Sequence, residues 1–197
     1  MNKLRQIGTA LHHYHDTHER LPPAAHKSFP ERDPQALLSW LALILPQMEQ
    51  ASLYHQSERA CQQEIVPSRN PPHVGFATVI PGYVCSSDIR LESPQTDSDG
   101  NRAAFTSYLG ITASVREGIG WTSASVFGPQ PGFRFGEIVD GMSQTFMVGE
   151  RAPPQSWRAG WWYPAWLAGG NGSGPHNLMD VGPVIYYVGG GGSKKCD

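Results

Sequence analysis

Apolar positions recur at two periods along this chain, and the change of period divides it. Near the start Leu4, Ile7, Leu11 and Tyr14 step by three and four, which places them on one face of an α-helix that opens without a run-in and stops at Leu21-Pro22-Pro23. A helix this short is marginal in water unless something packs on its stripe or extends it. Asp33-Pro34 gives a second start signal, an N-cap followed by proline at the first helical position. From there Leu37, Trp40, Leu41, Ile44, Leu45, Met48 and Leu53 predict a wide apolar face on a helix over 35–57. Pro46 is expected to kink or split it.

Beyond Glu64 the helical period is lost. Pro67, Pro71 and Pro72 mark a linker, after which short runs at 74–80, 82–85, 106–112, 144–150, 160–163 and 184–188 read as strands bounded by Gly, Pro, Asp or Ser. Residues 134–139 predict one helical turn ahead of Asp140-Gly141. Helices first and a meandering sheet afterwards predict an α+β fold, with the N-terminal helices packed on a small, loop-rich antiparallel sheet.

Composition adds three limits. With 22 glycines and 17 prolines among 197 residues, the chain has well above the usual share of about 12% and is rich in turns. Aromatic residues hold at 10%, so a packed core is expected rather than disorder. A net charge of −2 with 16% charged residues offers no footprint for nucleic acid. Cys61, Cys85 and Cys196 have no CxxC spacing, so neither a zinc ribbon nor a redox pair is signalled; one disulfide plus a free thiol remains open, with the pairing undetermined. No run approaches the roughly 20 apolar residues of a membrane span.

In order along the chain, Asn2 to Asp16, Leu21-Pro22-Pro23, Ser39-Trp40, Ile44-Leu45-Pro46, Glu49-Gln50 and Leu53-Tyr54 form a recognisable series. Ile80-Pro81, Cys85-Ser86-Ser87-Asp88, Ser107 to Gly110, Asp140 to Thr145, Val148 to Arg151 and Gly160 to Tyr163 continue it. The series resembles a bacterial pilin-like family, domain-of-unknown-function family 1559, which also carries a solute-binding-protein label. Its members open with a prepilin cleavage motif and an apolar helix, and they end with a histidine followed nine residues later by Asp-Gly. Neither feature is found here: Ile89 and Gln130 stand at that upstream place before Asp99-Gly100 and Asp140-Gly141. The expectation is a fragment trimmed at both ends, or a natural version without anchor and tail.

The resemblance implies residues 1–20 as the lower half of a pilin-type helix and residues 21–197 as a single pseudopilin-like head. It implies a non-enzymatic, extracytoplasmic structural subunit of a secretion or surface-filament system. The partners would be other pilin-like subunits or secretion-system components, and membrane would be reached only through an N-terminal helix that the chain lacks. An extracytoplasmic module binding glycan or peptide is the alternative. Its candidate residues are Trp157, Trp161, Trp162, Tyr163 and Trp166, since crowded aromatic faces either stack on ligands or pack a core.

Other chemistry is weakly signalled. Asp97, Asp99 and Asn101 place oxygen donors at alternate positions, as a calcium loop begins, but glycine falls two places early and Tyr108 occupies the place of the bidentate glutamate. An Asp-Gly turn is the favoured reading, calcium the alternative; no other cofactor is expected. His12, His13, His15 and His18 read as solvent-facing helix residues, with partial metal-ligand spacing as the competing view. Asp88, Glu137, Asp140 and Glu150 have no context that identifies a carboxylate catalyst. No Gly-x-Ser-x-Gly elbow accompanies His176, and the glycine runs lack phosphate-loop endings.

Overall fold

The computed structural model describes residues 2–23, 38–96, 100–114, 127, 132–153, 155, 157, 160–164 and 184–188. Helix α1 (Lys3–His18) is capped by the Asn2 side chain, which accepts from the Leu4 N–H, and it ends at Glu19 in the left-handed conformation (φ 56). Ile7, Ala10 and Leu11 are buried, with Leu4 and Tyr14 half-buried at either end of the stripe. The chain then ties back to the head through the Leu21 N–H, which donates to the Phe133 carbonyl at 2.8 Å.

The second helical stretch is divided at Pro46. Helix α2 (Trp40–Leu43) gives way to a 3-10 turn over Leu45–Met48 with proline in its first turn, and helix α3 (Ala51–Gln63) follows. Proline cannot donate the backbone bond that a continuous helix needs there. The expected start at Asp33-Pro34 lies outside the described residues. Ser39 caps α2 instead: its hydroxyl accepts from the Ala42 N–H at 3.2 Å and donates to the Trp162 carbonyl.

The α+β class holds, while the sheets differ from expectation in direction and extent. Strands β1 (Gln95–Thr96) and β2 (Arg102–Ala103) form an antiparallel pair. In the three-stranded sheet β3 (Tyr108–Ser114) lies between β4 (Val148–Glu150) and β5 (Val184–Val188). β3 and β4 are antiparallel, with Leu109 opposite Gly149; β3 and β5 are parallel, with Gly110 opposite Val184. The sheet is therefore mixed. Alternation and turn residues locate strands without fixing their direction, and a parallel neighbour needs only a long connection, which this chain has.

The strands expected over 74–80 and 82–85 are instead mostly 3-10 turns, at Val74–Ala77 and Pro81–Tyr83. Pro81 presets the second turn, and Gly75 lets the first approach the Tyr163 ring, where a Cβ would lie 2.2 Å from Cε2. Their backbone groups are satisfied from the 104–107 segment: Ala104 N–H donates to Phe76 O at 2.8 Å and Ser107 N–H to Tyr83 O at 2.9 Å. Residues 160–163 form no strand, only bridges from Trp161 to Phe105 and from Pro164 to Leu38. The expected turn over 134–139 appears as Phe135–Glu137.

The core joins α1, α2, the two turns and the 103–110 segment around Trp40, Phe76, Tyr83, Phe105, Phe127, Trp162 and Tyr163. Tyr83 is fully buried, and its hydroxyl donates to the Leu41 carbonyl at 2.7 Å. Tyr83→Phe should therefore cost about 1–2 kcal/mol in chemical denaturation, because it leaves that carbonyl unpaired in the interior. No loss would mean that the carbonyl finds another donor.

Candidate functional site

The aromatic segment, the candidate of the alternative ligand-binding reading, is turned largely inward. Trp162 and Tyr163 are completely buried and Trp161 is 3% exposed. Trp162 Nε1 donates to the Thr78 carbonyl at 2.7 Å, and its ring meets Tyr163 edge-on at 5.4 Å between centroids. Trp161 packs on Phe105 at 5.9 Å; among the described residues its Nε1 has no hydrogen-bond partner. With their surfaces taken by protein atoms, these three rings offer no face to a glycan or peptide in this conformation. Trp157 is half-buried, at φ 52, a region that favours glycine. Phe105 lies 4.9 Å from its ring and the Arg90 guanidinium covers it at 5.3 Å. Trp166 lies outside the described residues.

Arg90 also grips Asp88 through two bonds, Nε to Oδ1 at 2.7 Å and Nη2 to Oδ2 at 2.6 Å. That pairing holds the Asp88 carboxyl below the usual carboxylate range. Asp88 lines an open cleft of about 310 Å³ with Cys85, Ser87, Ser107, Glu150 and Ala152. Ser107 Oγ accepts from the Cys85 N–H at 2.9 Å, so the serine supports the backbone there. Burial, with Glu150 and Cys85 beside it, pushes the neighbouring Tyr108 hydroxyl up to about 12. Among the described residues the cleft's lining thus contains a thiol and two carboxylates, with no histidine to act as its base. A second hollow of about 400 Å³ opens beside Lys3, Gln6, Met48 and Gly82.

The remaining candidates are dispersed. Asp97 and Asp99 lie outside the described residues; Asn101 is half-buried after Gly100, whose φ of +84 fits a turn. His12 and His15 pack on Phe135, His15 stacking at 3.8 Å and accepting the Phe135 N–H through Nε2 at 3.2 Å. His18 stacks on Tyr14 at 3.9 Å. Among the described residues no group of three or more His, Cys, Asp or Glu could hold a metal ion. Around Asp140 the turn is held by Gly141 N–H donating to Ile138 O at 3.1 Å and by the Thr145 hydroxyl donating to Gly141 O at 3.0 Å. Glu137 accepts from the Arg134 N–H at 2.8 Å. Cys61 is buried and Cys85 half-buried, both as free thiols; Cys196 and His176 lie outside the described residues.

One polar cluster has no counterpart in the sequence reading. His73 Nδ1 lies 2.9 Å from Tyr163 Oη, which in turn stands 3.9 Å from Cys61 Sγ. Ser57, one turn before Cys61, donates its hydroxyl to the Leu53 carbonyl at 2.8 Å and sits against the same phenol. Burial pushes the Cys61 thiol up to about 11 and the Tyr163 hydroxyl far above its ordinary value, so both keep their protons. The expected helix over 35–57 stops short of Cys61, and nothing in the sequence spacing links Ser57 or Cys61 to His73 or Tyr163.

Among the described residues, no helix is long and apolar enough to cross a membrane. Neither a curated protein nor a solved structure matches the chain. One family model does, that of the proteins of unknown function DUF1559 (SBP_bac_10), and it spans α1, the core segments, β1 to β4 and β5 as far as Tyr187. Matched over residues 1–187, the chain belongs to that family.

Proposed function

We propose that this protein is a non-enzymatic, pseudopilin-like structural subunit acting outside the cytoplasm. In this reading α1 is the lower half of a stalk and the rest of the chain is its head. The observation that carries it is the docking of α1. Ile7, Ala10 and Leu11 are buried against the head, while Arg5, Gln6, His13, Asp16 and Thr17 face outward. One helix fixed along one side and polar on the other is the arrangement a head-bearing stalk requires. The inward packing of Trp161, Trp162 and Tyr163 supports a scaffold over a glycan- or peptide-binding module. The family's uncharacterised status leaves secretion-system components and other pilin-like subunits as proposed partners.

The test extends the chain upstream of Asn2 with an apolar pilin-type helix and compares it with an unrelated head on the same helix. Membrane association alone is trivial, so the readout is in-membrane cross-linking. A ladder of oligomers from this head, several-fold above the control, is expected. Monomers, or a ladder no stronger than the control's, would overturn the reading.

A further inference from the structure

The His73 ring is buried at 5% exposure, and among the described residues its Nε2 has no hydrogen-bond partner. Its backbone is equally committed: the His73 N–H donates to Pro67 O at 2.9 Å and its carbonyl accepts from the Phe76 N–H at 3.0 Å. His73 therefore joins the link after α3 to the Val74–Ala77 turn through its backbone, and ties that turn to Tyr163 through its ring. We propose that His73 is an acid latch: taking up a proton drives its ring from the core and releases the 64–77 segment from α3 and Tyr163.

The groups around the ring decide the outcome. Tyr163 keeps its proton, so we assign the neutral ring as accepting from Oη–H through Nδ1. A second proton on the ring would turn that hydroxyl away, towards Cys61 or Ser57. It would also leave a charge in the interior with Nε2 still unpaired, which costs far more than a paired neutral ring. Cys61 is neutral and offers no compensation, and Glu58 on the same helix face acts on Cys61. The Glu64 carbonyl and carboxylate favour the charged ring, but neither bonds Nε2 with ordinary hydrogen-bond geometry, and Arg69 engages that carboxylate at 3.1 Å. Desolvation outweighs them, so burial holds His73 below its ordinary value. An unfolded or released His73 titrates near 6.5, so the latched state is fully favoured above that pH and weakens as pH falls below it. One proton sets the limit at about tenfold per pH unit.

Once released, the segment would uncover Tyr163 and Phe76 beside Val74, which is already 63% exposed. The test is hydrogen exchange, corrected for intrinsic rates, between pH 7.5 and 5. The His73, Phe76 and Ala104 amides should lose protection by up to about tenfold per unit below pH 6.5, while α1 amides hold. This site-resolved readout separates His73 from His15, whose Nε2 bond lies at Phe135. His73→Gln should flatten the dependence. Should that variant not fold, the His73 ring is followed by NMR in the unaltered protein, where a midpoint below 6.5 is expected. A midpoint at or above 6.5, or an unchanged slope in His73→Gln, would overturn the latch.

Discussion

Trp162→Ala is expected to destabilise the protein by about 3–5 kcal/mol, a large part of the roughly 5–15 kcal/mol that a domain of this kind has in total. The side chain is fully buried and lies where three separate stretches of chain meet. Its ring faces Tyr83 at 5.9 Å and Tyr163 at 5.4 Å, and its Nε1 holds the Thr78 carbonyl. Alanine would leave a cavity that none of these neighbours can fill, plus an unpaired carbonyl inside it. Urea denaturation measures the loss. Phe146→Ala is the internal control: that ring is 83% exposed, and its removal should change stability by no more than about 0.5 kcal/mol. A Trp162→Ala loss no larger than the control's would mean that the aromatic segment is not core after all.

Gly132→Ala should be the most damaging single methyl group. A Cβ there would lie 1.8 Å from the Leu21 carbonyl oxygen and 2.8 Å from its carbon. Those are backbone atoms with no rotamer to change, so the two strands of chain must separate. Over-packing of this kind costs about 1–3 kcal/mol, and more where the backbone must move. The separation would break the Leu21–Phe133 bond and the Arg20 contact to the Gly132 carbonyl at 2.7 Å, and it would loosen the Arg20–Glu137 pair at 3.8 Å. The damage should be local: amides in the last turn of α1 should lose exchange protection more than those of α3. Gly136→Ala, whose Cβ meets nothing within 4 Å, should leave those amides unchanged. Equal behaviour of the two variants would show that the α1 seam is already loose.

What the sequence could and could not reveal follows from the range of each interaction. The α1 stripe was legible because Leu4, Ile7 and Leu11 are related by helical spacing alone, and the break at Pro46 because a missing N–H is a local fact. β5 was placed at 184–188, the bounds the structure gives it, yet its direction was not readable, since direction depends on a partner far along the chain. The 74–85 stretch looked extended because its valines, isoleucine and aromatics favour strands. Its turns are imposed by Gly75 meeting Tyr163 and by the 104–107 backbone, both long-range. The tryptophan crowd posed the same difficulty for function: composition cannot distinguish a stacking platform from a core, and only the folded chain shows Trp161 and Trp162 buried. The His73 cluster is not legible in the sequence because its ring partner stands 90 positions away.

Ser39 has a consequence for the order in which the molecule assembles. α2 spans four residues, too few to persist as a helix in isolation. The hydroxyl that caps it also spends its proton on the Trp162 carbonyl, and the Ser39 N–H donates to the Tyr163 carbonyl at 3.0 Å. The cap is therefore completed only when a segment from the other end of the described core has arrived. Helix formation at Trp40 and closure of the tryptophan segment should occur as one kinetic event, with folding rates set by that long loop rather than by local helix propensity.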